Sequence, residues 1–264
     1  MTGREIIEAL HAGRFVFSSS LIAPSPLWPA LVKQLGLDFV FIDTEHIPHD
    51  RQTLSWICQT YRALGIPAVV RIPSPDPYEA CKVLDGGASG IVAPYLETVE
   101  QVQALVGAVK LRPLKGERLA KALYDRNTLQ PELRTYIDQR NADNILIANI
   151  ESVPAIENLD ALCSVPGLDG LLIGPHDLSC SLGIPEQYDH PRFDEAVRTL
   201  FTTARRHGLG AGIHFWLSVE QEIAWAKAGA NLIMHSSDLT IVTRVLKAEL
   251  AHLRQSLQTP PLVP

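Results

Sequence analysis

The stretch Gly36-Leu-Asp-Phe-Val-Phe-Ile-Asp43 contains the pattern that decides the fold. A glycine ends an amphipathic segment, a short apolar run follows, and the run ends in a charged residue. The same pattern recurs at Gly65 before Ala68-Val-Val-Arg71, and the later run Gly170-Leu-Leu-Ile-Gly174 resembles it. Glycine is a common residue just after a helix, and an apolar run of four or five residues suits a strand buried on both faces. The pattern therefore predicts parallel strands that alternate with helices.

Eight such apolar runs occur along the 264 residues, and helix-like stretches separate them. The predicted strands are Phe15–Ser18, Phe39–Asp43, Ala68–Arg71, Ile91–Pro94, Ile145–Glu151, Gly170–Gly174, Gly210–His214 and Asn231–His235. Eight alternations, with no G-x-G-x-x-G after the first strand, favour a closed barrel over a doubly wound sheet. We predict an α/β fold, a single (β/α)8 TIM barrel with a long C-terminal helix, over residues 1–258, followed by a proline-rich tail at 259–264.

Composition and charge exclude several classes of protein. The net charge is −6 and the four cysteines lack C-x-x-C spacing, which argues against a nucleic-acid-binding surface, a disulfide framework and a zinc–cysteine site. No run of 18 apolar residues is present, so no membrane segment is expected. These observations predict a cytoplasmic enzyme with small-molecule ligands and with neither a nucleic acid nor a membrane as its partner.

Charged side chains gather where the predicted strands end. In barrels of this kind the carboxyl ends of all strands meet at one mouth, where catalytic groups lie. Asp43, Arg71 and Glu151 end three of the predicted strands, and Asp177 follows a fourth. Two carboxylates supply hard oxygen ligands for a divalent cation and leave other coordination positions for water and a chelating 2-oxo acid. The cation and Arg71 would then stabilise an enolate.

Other residues near the strand ends are assigned binding or structural roles. Backbone N–H groups around Gly174 and His176 are predicted to hold a substrate carboxylate, and His214 and His235 are predicted to be structural. No lysine ends a strand, which leaves a Schiff-base mechanism without a candidate. The basic segment Leu111–Asn144 is predicted to be a long irregular connection at the active site or at an interface. It would bind a second substrate carboxylate or form a solvated surface.

Five strings in register resemble one enzyme family. They are Phe41-Ile-Asp-Thr-Glu-His46, Val69-Val-Arg-Ile-Pro73, Lys82-Val-Leu-Asp-Gly-Gly87, Ile150-Glu151 and Leu172-Ile-Gly-Pro-His-Asp-Leu178. Together they are similar to the HpcH/HpaI family of class II 2-oxo-acid aldolases, which includes 4-hydroxy-2-oxoheptanedioate aldolase and 2-dehydro-3-deoxyglucarate aldolase. The resemblance runs from about Arg4 to about Leu253.

The resemblance implies roles for single residues. Glu151 and Asp177 would bind Mg²⁺, Mn²⁺ or Co²⁺, and Arg71 would contact the keto oxygen of pyruvate. His46 would move protons through a metal-bound water, with Asp43 as its support.

The resemblance also implies an assembly. Asp85 matches an aspartate that reaches into the site of a neighbouring subunit. The resemblance therefore implies a homo-oligomer built from dimers, commonly a trimer of dimers.

The chain departs from the family at the side of the site that would accept the aldehyde. Asn149 stands where glutamine is common, Ser18-Ser-Ser20 where an aromatic residue is common, and His176 where a small residue is common. Pro113-Leu-Lys-Gly-Glu-Arg-Leu119 departs from a P-P-x-G-x-R-G loop. These differences leave the half of the site that binds pyruvate intact and leave the identity of the aldehyde open.

We therefore predict a metal-dependent carbon–carbon lyase that reversibly cleaves a 4-hydroxy-2-oxo acid to pyruvate and an aldehyde. Two enzymatic alternatives remain, namely oxaloacetate decarboxylation and an acyl-CoA lyase like the citrate lyase β-subunit. A catalytically silent subunit that binds 2-oxo acids is the alternative outside enzymes.

Overall fold

The structure, a computed structural model, describes residues 1–258, and the predicted tail 259–264 lies outside the described residues. Eight parallel strands pair in sequence order from β1 to β8, and β8 pairs with β1 to close a barrel. The strands are β1 Val16–Ser20, β2 Phe39–Asp43, β3 Ala68–Arg71, β4 Gly90–Ala93, β5 Ile145–Ile150, β6 Gly170–Ile173, β7 Gly210–Phe215 and β8 Leu232–Ser237. The predicted (β/α)8 barrel with a long C-terminal helix is confirmed.

Thirteen helices are found among residues 1–258. They are α1 Gly3–His11, α2 Trp28–Val32, α3 Arg51–Ala63, α4 Pro77–Asp85, α5 Val99–Lys110, α6 Gly116–Tyr124, α7 Pro131–Arg140, α8 Val153–Glu157, α9 Leu159–Cys163, α10 Pro175–Ser181, α11 Pro191–Arg206, α12 Val219–Lys227 and α13 Asp238–Ser256. Short polar side chains begin many of them. Asp50, for example, accepts hydrogen bonds from the backbone of Gln52 and Thr53 at the start of α3, which satisfies N–H groups that have no partner inside the helix.

Apolar side chains fill both sides of the barrel wall. Val16, Phe39, Val69 and Leu232 point inward and form one cluster in the interior. Side chains on the other face of the strands pack against the surrounding helices in a second, larger cluster. Burial on both faces explains why the strand sequences are continuously apolar. Helix α1, which the strand pattern did not predict, adds Leu10 to the interior cluster and closes the barrel at the end opposite the mouth.

The basic segment 111–144 differs from its prediction. It is not irregular, because it folds into α6, a 3₁₀ turn at Arg126–Thr128 and α7. Leu111, Ala122, Leu129 and Ile137 give it a small hydrophobic cluster of its own. Its two ends line a cavity with the residues that directly precede β3 and β4. This cavity lies at the N-terminal ends of the strands, so within one subunit the segment does not reach the mouth.

Helix α13 lies largely outside the packed body. Of its 19 residues only Asp238 is buried. Six apolar side chains recur at intervals of three or four residues, and each is at least 37% exposed: Leu239, Val242, Leu246, Leu250, Leu253 and Leu257. Between residues 1 and 258 no helix combines the length and apolarity needed to cross a membrane.

Candidate active site

Three acidic residues surround a single arginine at the mouth of the barrel. Arg71, the last residue of β3, donates through Nε and Nη2 to the two carboxylate oxygens of Asp43, at 2.9 and 2.6 Å. Its Nε is also 3.2 Å from Glu45 Oε2. Burial opposes ionisation of Asp43, but the hydrogen bond and positive charge of Arg71 hold the pKa of Asp43 below its usual value. The two-pronged contact fixes the plane of the guanidinium group.

The remaining arm of Arg71 faces Glu151. Nη1 lies 3.9 Å from Glu151 Oε1, which is beyond hydrogen-bond distance. The arrangement therefore leaves the Nη1 amino group available to a ligand placed between Arg71 and Glu151.

Glu151 follows β5 and is held by its neighbours. Its Oε2 accepts the backbone N–H of Tyr95 at 3.1 Å, and its Oε1 accepts the side-chain amide of Asn149. Burial is the main reason that the pKa of Glu151 rises to about 7, and the charges of Glu45 and Asp177 raise it further. Glu151 is thus a buried carboxylate close to two others, with a single distant arginine arm as its cationic neighbour.

Tyr95, which the sequence analysis did not single out, shapes this region. Its φ is 56°, in the left-handed region that residues with a Cβ seldom adopt. That conformation accompanies the N–H contact to Glu151. A hydrogen bond to Glu45 is the main cause that raises the pKa of the Tyr95 phenol to about 12. Strained backbone is typical of functional sites, and Tyr95 connects two of the carboxylates.

Asp177 lies in the first turn of α10, directly after β6, and its charge acts on Glu151. The residue between strand and helix is Gly174, where an added Cβ would stand 2.7 Å from Glu151 Oε1. Only a residue without a side chain lets α10 begin so close to Glu151.

The predicted backbone contacts need one correction. The N–H group of Gly174 donates to the carbonyl of Ile150 at 3.3 Å, so it is not available to a substrate carboxylate. The N–H groups in the first turn of α10, including that of His176, have no partner within the helix. Binding of a substrate carboxylate by the N–H group of His176 therefore stays a prediction. Gly174 contributes by leaving room for the Glu151 carboxylate.

His46 is the most accessible of the predicted catalytic side chains. Its imidazole is 57% exposed, and its Nε2 is 3.9 Å from Glu45 Oε2. Asp43 supports this loop through its carboxylate, which accepts the backbone N–H groups of Glu45 and His46. The support that Asp43 gives to His46 thus acts on the backbone, while most of the carboxylate is used by Arg71.

The other side of the mouth is polar but neutral. A cavity of about 270 Å³ is bordered by charged residues, including Asp43, Arg71 and Asp177, and on its far side by His214 and Ser236. His214 Nε2 lies 3.0 Å from the carbonyl oxygen of Ser236. Burial lowers the pKa of His214, so the imidazole is neutral near pH 7.

The remaining predicted residues lie away from the cavity. His235 is on the outer face of β8, with Nδ1 2.8 Å from Glu222 Oε2, which agrees with a structural role. Asp85 ends α4, is largely exposed and pairs with Arg112. It lies on the N-terminal side of the barrel, so its side chain cannot reach the mouth of its own subunit.

The residues present fit a divalent cation. Glu151 and Asp177 offer only oxygen ligands, as Mg²⁺ and Mn²⁺ prefer. Glu45 Oε2 is buried without a hydrogen bond, and three neighbouring carboxylates with one arginine leave negative charge uncompensated. No cluster of three or more His, Cys, Asp or Glu side chains within residues 1–258 is arranged to hold a metal. A cation held here would therefore have fewer than three such side chains as ligands.

Comparison with known proteins adds a family. The sequence profile described as HpcH/HpaI aldolase/citrate lyase matches residues 25–244. The chain is 33% identical to the 2-keto-3-deoxy-L-rhamnonate aldolase of Salmonella gallinarum over 231 residues, which cover 85% of this chain and 84% of that one. The enzyme of the same name from Salmonella typhi is 34% identical over 236 residues, with the same coverage.

Solved structures agree with these relatives. An HpcH/HpaI aldolase from Desulfitobacterium hafniense superposes with a TM-score of 0.81 at 25% identity, covering 97% of this chain and 98% of that one. The citrate synthase SbnG superposes with a TM-score of 0.82 at 28% identity, covering 96% and 98%. Macrophomate synthase gives 0.79 at 26% identity, covering 97% and 90%.

Proposed function

The chain belongs to the HpcH/HpaI aldolase/citrate lyase family, and we propose that it cleaves a 4-hydroxy-2-oxo acid reversibly to pyruvate and an aldehyde at the mouth described above. The family resemblance and the aldolase class are confirmed by the matched profile and by the relatives. The observation that carries the site assignment is the single free arm of Arg71 opposite Glu151.

We propose that Glu151 and Asp177 hold Mg²⁺, Mn²⁺ or Co²⁺. The oxygen ligands and the uncompensated charge support this proposal. A divalent cation bound there supplies Lewis-acid stabilisation of negative charge on the keto oxygen. Tyr95 and Asn149 orient the Glu151 carboxylate through their N–H groups, and such outer contacts typically tune affinity for a metal.

The side chains of this chain then have distinct tasks. Arg71 Nη1 donates to the keto oxygen of the substrate, because Nε and Nη2 are already used by Asp43. His46, exposed at the mouth, accepts the proton of the C4 hydroxyl group. The C3–C4 bond breaks, its electron pair enters the pyruvate enolate, and the aldehyde leaves. The proton that His46 accepted then returns to C3, directly or through water, which gives pyruvate and restores His46.

The aldehyde is suggested by the relatives rather than by the charged side chains. Enzymes named for 2-keto-3-deoxy-L-rhamnonate are among them, and we propose a 2-keto-3-deoxy sugar acid as the substrate class. An acyl-CoA substrate has no support within one subunit, because the basic segment lies at the opposite end of the barrel.

The four cysteines are free, which supports the predicted cytoplasmic location. We assign the barrel domain to residues 1–258.

We also propose that the protein is a homo-oligomer whose basic unit is a dimer. Helix α13 follows β8 without an intervening residue, so it cannot turn back along its own strand. Its apolar stripe is exposed, as are Phe15, Phe17 and Ile223, which line an apolar groove of about 600 Å³ outside β1 and β8. The α13 helix of a second copy fits the groove, because both surfaces are apolar.

Light scattering tests the dimer. Leu246→Arg, which places a charge in the apolar stripe, should give monomers, while the neighbouring Lys247→Glu should not. A monomeric wild-type protein at micromolar concentration would contradict the proposal.

We keep the intersubunit role of Asp85 as a further proposal. It is tested by mixing inactive Asp85→Ala and Glu151→Gln proteins, because hybrid oligomers should regain activity.

Exchange of the pyruvate methyl protons with D₂O, followed by NMR, tests the proposed chemistry. Wild-type protein with Mn²⁺ or Mg²⁺ should catalyse the exchange, and removal of the ion by a chelator should stop it. A protein that binds pyruvate without exchange would be the silent subunit, and the lyase proposal would fail.

A further inference from the structure

The neutral side of the mouth contains a buried hydroxyl group without a partner. Ser236 is 0% exposed, its Oγ makes no hydrogen bond, and it borders the 270 Å³ cavity. Buried polar atoms are nearly always hydrogen-bonded, and an exception in a native structure calls for an explanation. A ligand in the cavity supplies one, because it would bring the missing partner.

The backbone around Ser236 gives a second, independent observation. The pairing of β1 with β8 loses register here: Ser18 lies opposite Met234, but Ser20 lies opposite Ser237. One extra residue of β8 therefore forms a bulge, and Ser236 has φ of 53°. Glycine is the residue that adopts this left-handed conformation without strain. A serine is strained there, and its hydroxyl group is the one feature that glycine could not provide.

His214 completes a pair of complementary hydrogen-bonding groups. A carbonyl oxygen can only accept, so His214 Nε2, 3.0 Å from the carbonyl of Ser236, carries the hydrogen. In a neutral imidazole the other nitrogen, Nδ1, is then an acceptor. Ser236 Oγ can donate and His214 Nδ1 can accept, which are the two complements of a substrate hydroxyl group.

The surroundings of this pair favour a neutral group over a carboxylate. The rings of Phe41 and Trp216 lie 5.8 and 5.9 Å from the ring of His214. Ser20, Ser237 and Thr240 add further hydroxyl groups to the cavity wall. The nearby guanidinium group of Arg71 is bound to Asp43 and Glu45, and its remaining arm faces Glu151, so it does not offer a second carboxylate site here.

From these observations we infer that Ser236 and His214 bind a hydroxyl group on the substrate carbon next to the aldehyde carbon, and so select 2-hydroxyaldehydes. The inference rests on the proposed function and deepens it. It assigns to two residues of β7 and β8 the recognition of the part of the substrate that lies beyond the broken bond. Aldehydes that end in a carboxylate, or that lack this hydroxyl group, would be poorer partners.

The test compares two aldehydes that differ by one hydroxyl group, glycolaldehyde and acetaldehyde, in aldol addition to pyruvate. Wild-type protein should prefer glycolaldehyde by about tenfold or more in kcat/KM, since a site built to bind a hydroxyl group discriminates against the analogue without it. In Ser236→Ala this preference should fall to near unity. Ser236→Gly should lose it as well while unfolding at the same or a higher temperature, because glycine relieves the strained φ.

Ser18→Ala is the matched control. Ser18 is also a buried serine whose Oγ has no partner, but it is not among the residues that line the cavity, so its loss should leave the preference intact. Equal kcat/KM for the two aldehydes in wild-type protein, or an unchanged preference in both Ser236 variants, would overturn the inference. Proton exchange of pyruvate shows whether the inference alone or also the proposed function has failed. Intact exchange without a preference overturns the inference alone, while absent exchange overturns the proposed function and, with it, the inference.

Discussion

The two sides of the barrel mouth differ in how their polar groups are satisfied. On the side of β2, β3 and β5, Asp43 and Arg71 hold one another, and Glu151 has two N–H partners. On the side of β1, β7 and β8, the hydroxyl group of Ser236 has no partner. On the charged side Arg71 and two N–H donors hold Asp43 and Glu151 in place, although Glu45 Oε2 is left without a hydrogen bond. On the neutral side the hydroxyl group of Ser236 is held by nothing. The charged side therefore suits the reaction at the pyruvate half of the substrate, and the neutral side suits recognition of the aldehyde half.

Removing a carboxylate from the charged side should have the largest effect. Glu151→Gln keeps the size of the side chain but loses its charge, so we expect kcat to fall at least about 1,000-fold because a divalent cation is no longer held. Calorimetric titration with Mn²⁺ should show the loss directly. Glu157→Gln, an exposed change in the next helix, is the control. Wild-type turnover by the Glu151 variant would show that the metal lies elsewhere.

Arg71→Lys should have the next largest effect. A lysine ammonium group cannot hold both oxygens of Asp43 and also face the keto oxygen, so we expect kcat to fall about 100-fold. Steady-state kinetics with Arg198→Lys, a change in an exposed ion pair, provides the comparison. If KM rose while kcat stayed constant, Arg71 would bind substrate without stabilising the enolate.

Gly174→Ala tests the closeness of α10 to Glu151. The new Cβ would stand 2.7 Å from Oε1, so the carboxylate must shift, and the affinity for Mn²⁺ should fall about 10-fold or more. Gly107→Ala is a matched control, because its Cβ would meet only the flexible ends of Leu119 and Leu123, at 3.3 and 3.4 Å. Unchanged affinity in Gly174→Ala would mean that the Glu151 carboxylate adopts another position when the metal is bound.

The smallest effect concerns pH and the neutral side. Burial lowers the pKa of His214 from its usual 6.5. Below pH 6.5 the unfolded chain therefore binds more protons than the folded one, and stability should decrease as the pH falls. His49 acts in the same direction. Urea unfolding at pH 7.5 and 5.5 should show a smaller loss in His214→Gln than in wild-type protein or in the exposed control His252→Gln. Equal losses in all three proteins would contradict a neutral His214.

The sequence predicted the charged side far better than the neutral side. Arg71 and Asp177 each follow a strand, so the barrel topology alone brings them to one edge. Glu45 was given no role of its own, and Tyr95 gave no signal, because its left-handed backbone depends on tertiary contacts. Ser236 was hidden by the bulge in β8, which shifts the alternation of side chains by one residue.

The prediction for the basic segment 111–144 was wrong for another reason. Its lack of an apolar strand pattern suggested an irregular connection, but amphipathic helices with their own small cluster fill it. Length and charge do not distinguish a loop at the mouth from helices at the opposite end. The segment runs from the end of α5 to the start of β5. Both points lie at the N-terminal edge of the barrel, and this topology decides where the segment lies.

The direct passage from β8 into α13 has a thermodynamic consequence. If the apolar stripe of α13 is covered by a second copy, as proposed, folding is coupled to association, and the stability of the chain follows mass action. The melting temperature should then rise with protein concentration. Extreme dilution should first destabilise the part of the barrel wall formed by β1 and β8. Since β1 and β8 also carry the neutral side of the mouth, substrate choice would be sensitive to how much of the protein is present.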